Sequence, residues 1–161
     1  MATQTERFET LLKEHEKLLF KVAALYANHP EDRRELAQEI RMHLWRAFPS
    51  YKTEQRFSTW MYRVALNVAI SSVRCRKPTP ASLDEAKVAA LTTPPPDERV
   101  AFLQCFLAKL DVLDKALMAL YLEEYSYFEI AEILGITETN VATKISRLKF
   151  RIRKESEHGP G

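Results

Sequence analysis

The sequence predicts an all-α protein of two small helical domains joined by a flexible linker, with a helix-turn-helix in the C-terminal domain. Apolar residues recur at helical spacing through most of the chain, while Gly occurs only three times and no alternating β-branched run is found. Five of the eight Pro lie between residues 77 and 96, where the helical pattern stops. With 161 residues and 46% hydrophobic content, the chain can form one medium core or two small ones.

Composition and spacing argue against several classes of function. No run approaches the roughly 18 apolar residues of a membrane span, and the N-terminus lacks a signal-peptide pattern, so we expect a cytoplasmic protein without membrane insertion. Neither Cys75 nor Cys105 has metal-ligand spacing to a His, which favours packing or surface roles and leaves a redox-sensing pair as the alternative. A Gly-rich phosphate loop, a nucleophile motif and paired carboxylates are all missing. The sequence therefore predicts no enzyme, no cofactor and no metal site.

The N-terminal domain, residues 1–77, begins with an amphipathic helix predicted at 5–27. Pro30, followed by two acids, suits the first turn of a second helix at about 31–48. On one side of this second helix we expect five core residues: Leu36, Ile40, His43, Leu44 and Ala47. The opposite side carries Arg34, Gln38, Arg41, Met42 and Trp45. An apolar spot with a polar rim indicates an interaction surface, unless another helix of the same domain covers Trp45.

A polar loop at residues 50–56 separates the second helix from a third one, which Ser58 caps and which runs to about Arg76. Apolar residues lie on two sides of the third helix, so both sides need to be covered. Between them a narrow polar stripe recurs at spacings of four, four and three residues: Arg63, Asn67, Ser71 and Arg74. A mostly buried helix with such a stripe commonly lines a groove.

Residues 78–96 are rich in Pro and in small or acidic residues, which is typical of a linker and not of a core-forming element. The C-terminal domain then spans residues 97–161. We expect helices at about 97–109 and 112–123, which support the remaining stretch of the chain.

Two short signals define a helix-turn-helix in residues 126–154. Ser126 and Glu129 form a capping box before an apolar run, so a helix should begin there and turn four residues inward: Phe128, Ile130, Ala131 and Leu134. Gly135 permits the positive φ of a sharp helix end, and Thr137 can cap the next helix two residues later. Two helices this close have to cross steeply, and the second helix of such a unit typically enters the DNA major groove.

The second helix of this unit has one apolar side and one polar side. The apolar side is expected to face the protein and contains Val141, Ile145, Leu148 and Ile152. The polar side carries Thr139, Thr143, Ser146 and Arg147. Six basic residues and one acid between 138 and 154 give a local charge of +5, although the chain totals +2. This concentration favours attraction to phosphates, with a solvated basic helix as the alternative reading.

The order of these segments resembles the extracytoplasmic-function sigma factors of bacterial RNA polymerase. ELAQEIRMHLWRAFPSY (Glu35 to Tyr51) looks like the polymerase-binding helix of that family, and FSTWMYRVALNVAISSVRCRK (Phe57 to Lys77) looks like its promoter-melting and minus-ten segment. The stretch from Leu110 to Lys154, which contains the helix-turn-helix, is similar to the domain that reads the minus-thirty-five element. The resemblance covers most of the chain in the family's order and spacing.

The resemblance also implies roles for individual residues. On the polymerase clamp it places Glu35, Gln38, Glu39 and Trp45, to which the apolar spot adds Met42. The loop 51–57 would capture a flipped minus-ten base, because such a base needs a shaped pocket and partners for its freed edge. The resemblance thus implies Tyr51, Phe57 and Asn67 as minus-ten residues, and the polar stripe of the third helix adds Arg63, Ser71 and Arg74. In the recognition helix the implied base-facing residues are Ala142, Thr143 and Ser146, with Lys144 and Arg147 on phosphates and Thr139 beside them.

The partners that the resemblance implies are core polymerase, promoter DNA and an anti-sigma protein, which is often membrane-bound in this family. The base-facing positions are short and lack an Arg for a bidentate guanine contact, so promoter sequence does not transfer from relatives. We therefore expect a sigma factor that binds core polymerase, recognises both promoter elements and helps to melt DNA. One alternative is a stand-alone helix-turn-helix regulator. Another is an adaptor that sequesters an anti-sigma partner, which would not need the basic stripe on the third helix.

Overall fold

The structure, a computed structural model, describes residues 2–75 and 97–157. Within these two ranges all regular structure is helical, as the sequence predicts. The chain divides into two compact units, residues 1–89 and 90–161. The linker predicted at 78–96 lies outside the described residues, and its boundaries stay a prediction.

The N-terminal unit opens with two helices, where the sequence predicts one at 5–27. α1 spans Gln4–Glu14 and α2 spans Glu16–Tyr26, with His15 between them at φ −114° and ψ 19°. The prediction of one helix is wrong because His15 ends α1 with its own side chain. The ring donates through Nδ1 to the Leu11 carbonyl oxygen at 2.9 Å and lies 5.0 Å from the ring of Phe57, which fixes the break.

Three helices form the core of this unit. α3 spans Pro30–Ala47, a 3₁₀ turn follows at Phe48–Ser50, and α4 spans Phe57–Cys75. α2, α3 and α4 pack against one another. Each fully buried aliphatic side chain contributes about 1.5 to 3 kcal/mol by leaving water. Those with no exposed surface include Leu19, Ile40, Leu44 and Met61, and the small Ala65 and Ala69 allow close helix approach.

The core side of α3 differs from the predicted one at two positions. Leu36, Ile40 and Leu44 are buried as expected, but His43 is exposed and Ala47 is only half-buried. The reason is that Ala37 is also buried. Since successive residues are about 100° apart around the helix, Ala37 shifts the centre of the buried side of α3 away from His43.

Residues 97–157 of the C-terminal unit form four helices: α5 (Glu98–Lys109), α6 (Val112–Leu122), α7 (Tyr127–Leu134) and α8 (Glu138–Glu157). The first two confirm the predicted ranges within a residue. Asp97 caps α5 through the Arg99 amide, and Asp111 caps α6 through the Asp114 amide at 2.8 Å. The buried residues of this unit include Phe106, Leu117, Met118, Leu120, Ile130, Val141, Ile145 and Leu148.

The turn between α7 and α8 confirms the local signals read from the sequence. Ser126 and Glu129 exchange both hydrogen bonds of a capping box, at 3.1 Å each. Gly135 has φ 71°, and the Thr137 hydroxyl oxygen accepts from the Asn140 amide at 3.1 Å. α7 and α8 therefore form the predicted helix-turn-helix.

Phe128 is the wrong prediction in α7, because its side chain is 65% exposed. The buried residues of this helix are Ile130 and Ile133. Phe128 lies about 160° from Ile130 around the helix, so it points away from the core that these two residues enter. No helix in the described parts of the chain is long and apolar enough to cross a membrane.

Candidate nucleic-acid and protein interfaces

The outer face of α8 carries exposed side chains at all four predicted positions: Thr139, Thr143, Ser146 and Arg147. Val141, Ile145 and Leu148 hold the opposite face in the core. The Thr143 hydroxyl donates to the Thr139 carbonyl oxygen at 3.0 Å. Its proton is therefore used inside the helix, and Thr143 offers a base its methyl group and an acceptor oxygen, but no donor.

Two further predicted residues, Ala142 and Lys144, lie half-buried at the edges of this face. Lys144 is close enough to the Asp114 carboxylate on α6 to affect its titration. Burial raises the pKa of Asp114, and the charge of Asp111 raises it further, while Lys144 and Arg151 act in the opposite direction. Lys144 therefore lies between the outer face of α8 and an acid of its own domain.

Part of the basic charge of α8 holds the helix to the domain. Lys149 Nζ lies 4.8 Å from the centre of the Tyr121 ring on α6, and its hydrogen bond to Tyr121 raises the pKa of Lys149. The Arg151 guanidinium lies 5.7 Å from the centre of the Phe106 ring on α5. Such cation–π contacts stabilise the packing of α8. The exposed cations on the outer side are Arg147, Arg153 and Lys154.

Phe150 is a surface residue of α8 that lies outside the predicted site. Its side chain is 60% exposed, and Lys154 Nζ lies 5.1 Å from its ring centre. It follows Ser146 by four residues and Arg147 by three, which places all three on one face of the helix. This spacing was readable in the sequence, since Phe150 is also absent from the apolar stripe.

The predicted polar stripe on α4 is exposed at every position: Arg63, Asn67, Ser71 and Arg74. The helix buries residues on both sides of the stripe, among them Met61 and Leu66. The stripe is thus the solvent side of a helix that is otherwise held in the core. Its four side chains are available to a partner without disturbing the packing.

An aromatic cluster lies beneath the loop at residues 51–57. The half-buried Tyr51 ring lies 5.4 Å from Phe57 and 5.2 Å from Trp60, and its hydroxyl donates to the Gln55 carbonyl oxygen at 2.8 Å. Phe57 is buried, so of the predicted minus-ten residues it alone lies under the surface. Phe57 and Tyr51 brace the loop from within.

The predicted docking face of α3 is exposed at all five positions: Glu35, Gln38, Glu39, Met42 and Trp45. Trp45 is 42% exposed, and one side of its ring packs against Phe8 of α1 at 5.2 Å between ring centres. The expectation of an exposed Trp45 is confirmed. The alternative was that another helix of the domain covers Trp45, and α1 does cover one side of the ring.

Within the described residues no group of His, Cys, Asp and Glu side chains could hold a metal ion. Both cysteines are exposed free thiols.

Sequence comparisons match these two units to two known domains. Sigma-70 region 2 matches residues 11–79, and Sigma-70 region 4 matches residues 102–149. The α3 face and the α4 stripe fall in region 2, whereas the helix-turn-helix falls in region 4. The chain is an extracytoplasmic-function sigma factor.

The relatives of this sigma factor extend over both regions. It is 26% identical to the ECF RNA polymerase sigma factor SigM of Mycobacterium tuberculosis over 149 residues, which covers 91% of this chain and 76% of the relative. It is 29% identical to the ECF RNA polymerase sigma factor SigW of Bacillus subtilis over 137 residues, which covers 75% of this chain and 73% of the relative.

Two solved structures have a similar fold. The sigma factor RpoE of Bartonella quintana, solved with the anti-sigma factor NepR, gives a TM-score of 0.70 at 16% identity and covers 92% of this sigma factor and 95% of that chain. CnrH, solved with the cytosolic domain of CnrY, gives a TM-score of 0.67 at 20% identity and covers 94% of this sigma factor and 88% of that chain. These similarities concern the fold alone. Phe150 lies one residue beyond the region 4 match.

Proposed function

We propose that this sigma factor acts as a detachable specificity subunit with three contact surfaces. The outer face of α3 binds the clamp of core polymerase, the loop 51–57 and the α4 stripe bind the minus-ten element, and α8 binds the minus-thirty-five element. The subunit acts in the cytoplasm by binding and positioning, and it requires no catalytic group or cofactor.

The observation that carries the proposal is the exposed apolar spot of Met42 and Trp45 on α3. Glu35, Gln38 and Glu39 surround this spot with polar groups. An exposed Trp inside a polar rim is the side chain most enriched among binding hot spots. A regulator that binds DNA alone has no use for such a spot on the domain without the helix-turn-helix.

Promoter opening depends on the second surface. A base removed from the stack needs a pocket of fixed shape and hydrogen-bond partners. Tyr51 and the buried Phe57 give the loop a fixed shape, and the amide of Asn67 lies exposed on α4 with both a donor and an acceptor. Arg63 and Arg74 place positive charge at the two sides of Asn67 for the backbone of the strand.

The third surface combines charge with short side chains. Arg147, Arg153 and Lys154 are exposed on α8 and attract phosphates, whereas Thr143 and Ser146 are small enough for the helix to enter the major groove closely. Lys144 lies at the edge of this face, where its charge is shared between phosphate and Asp114.

A restraining partner is also proposed. Both similar structures contain a second protein, an anti-sigma factor in one of them. We propose that an anti-sigma protein binds this sigma factor and holds it inactive, as the family resemblance implies.

Reconstituted transcription tests the function. Purified protein is added to core polymerase with fragments of the host genome as template, and transcript ends are mapped. We expect starts that require the protein and that share two elements upstream. The same assay with Arg63 and Arg74 both changed to Ala should lose those starts. A stand-alone regulator would produce no protein-dependent starts with core polymerase, and that result would contradict the proposal.

A further inference from the structure

We propose that Phe150 is a further base-reading residue of α8 and contacts the C5-methyl group of a thymine in the minus-thirty-five element. The inference rests on the proposed function, in which α8 lies in the major groove. The region 4 match ends at residue 149, so the similarity gives Phe150 no role.

The position of Phe150 on the helix brings it to the DNA. It shares the outer face with Thr143, Ser146 and Arg147, and the side chain is 60% exposed. At about 1.5 Å rise per residue, Phe150 lies roughly 10 Å beyond Thr143 along the axis. That distance corresponds to about three base pairs at roughly 3.4 Å each. A helix that seats Thr143 against one base pair therefore carries Phe150 along the same groove.

The chemistry of the face selects the thymine methyl group. Among the major-groove edges of the four bases, this methyl is the apolar group, and Phe is one of the side chains that contact it. Thr143 offers the groove a methyl group but no hydroxyl donor, because its hydroxyl proton is donated to the Thr139 carbonyl oxygen. A phenyl ring and a methyl on one face suit apolar recognition better than recognition of guanine.

The charges around Phe150 favour DNA over a protein as the occupant. Arg147, Arg153 and Lys154 are exposed around the ring, and Lys154 Nζ lies 5.1 Å from its centre. These cations repel another basic surface and attract phosphates on both sides of the groove. The ring is also continuous with the face that Ser146 and Arg147 present to the promoter.

The experiment uses holoenzyme reconstituted from full-length protein and core polymerase. Duplexes randomised at the minus-thirty-five element are selected by binding, and each thymine of a selected duplex is then replaced by deoxyuridine, which removes only the methyl group. At the thymine that Phe150 contacts, replacement by deoxyuridine should lower the affinity of the wild-type holoenzyme about fourfold, which is the effect of one buried methyl-sized group. Phe150→Ala should bind the thymine and uracil duplexes equally at that position. Phe128→Ala removes a similarly exposed ring from α7 and should discriminate as wild type does.

Several outcomes would overturn the inference. Discrimination retained by Phe150→Ala would assign the methyl contact to another residue. Equal weakening on both duplexes would mean that the ring acts on the sugar-phosphate backbone or by holding Lys154. Loss of holoenzyme formation by Phe150→Ala would make Phe150 a polymerase contact. If the wild-type holoenzyme selects no thymine in the minus-thirty-five element, Phe150 has no methyl group to contact and the inference is wrong. Failure of wild-type holoenzyme to retain any duplex would instead refute the proposed function itself.

Discussion

The ring of Phe8 on α1 packs against the ring of Trp45 on α3, with 5.2 Å between their centres and an angle of 59°. Phe8 also lies 5.2 Å from Phe48 and is itself buried. The N-terminal helix therefore supports the residue that we place at the centre of the polymerase contact. One side of Trp45 is fixed by the domain, while the other is open to a partner.

This packing predicts a cost for removing the ring of Phe8. Phe8→Ala should lower the free energy of unfolding by about 3 to 5 kcal/mol, as for other buried aromatic residues. Thermal or urea unfolding of the full chain measures it. Phe20→Ala is the matched control, since Phe20 on α2 is 50% exposed, and it should change stability by less than about 1 kcal/mol. Equal unfolding curves for both variants would show that α1 is not packed as described.

Gly135 provides a second stability test at the turn of the helix-turn-helix. Its φ is 71°, and a Cβ added there would meet no atom within 4 Å. Gly135→Ala should therefore lower stability by about 1 to 2 kcal/mol through backbone strain alone, without a steric clash. Denaturant unfolding measures the change. A neutral substitution would show that the helix end adopts another conformation.

Arg147 tests the contribution of charge to promoter binding. Arg147→Ala should weaken holoenzyme binding to all sequences and reduce the salt slope by about one phosphate contact. Thr143→Ala should instead change the preference at one or two base pairs. Arg99→Ala on α5 removes the same charge from an exposed site of the same unit and should leave the slope unchanged. An unchanged slope for Arg147→Ala would exclude a phosphate contact there.

Asn67 should act in promoter opening and not in folding. Because its side chain is exposed between Arg63 and Ser71, Asn67→Ala should cost less than about 1 kcal/mol of stability. Open-complex formation, followed by permanganate reactivity of unpaired thymines, should fall. Asn28→Ala, an exposed Asn of the same unit, is the control. A large loss of stability with normal opening would make Asn67 a structural residue.

Local signals in the sequence predicted the parts of the fold that neighbouring residues determine. The capping box of Ser126 and Glu129, the positive φ of Gly135 and the cap at Thr137 each depend on residues within a few positions, so the helix-turn-helix was predictable. Spacing also predicted the exposed stripe around Asn67, because the apolar sides of α4 define it.

Features set by contacts between helices could not be predicted in the same way. The break at His15 involves Phe57, more than forty residues later in the chain. The role of Lys149 depends on Tyr121, which no spacing within α8 reveals. The sequence therefore overestimated the charge that α8 presents to DNA. It also missed that Phe57, assigned to the minus-ten surface, supports that surface from below.

The affinity of Trp45→Ala for core polymerase tests the central claim most directly. Trp45 is partly exposed and touches Phe8 on one side, so its removal should cost the free protein well below the roughly 3 to 5 kcal/mol of a core Trp. Binding to core polymerase should weaken by about 2 kcal/mol, or roughly thirtyfold in Kd. Phe20→Ala, which removes another exposed aromatic from the same unit, should bind as wild type does. Unchanged melting with unchanged binding for Trp45→Ala would remove this face of α3 from the polymerase interface.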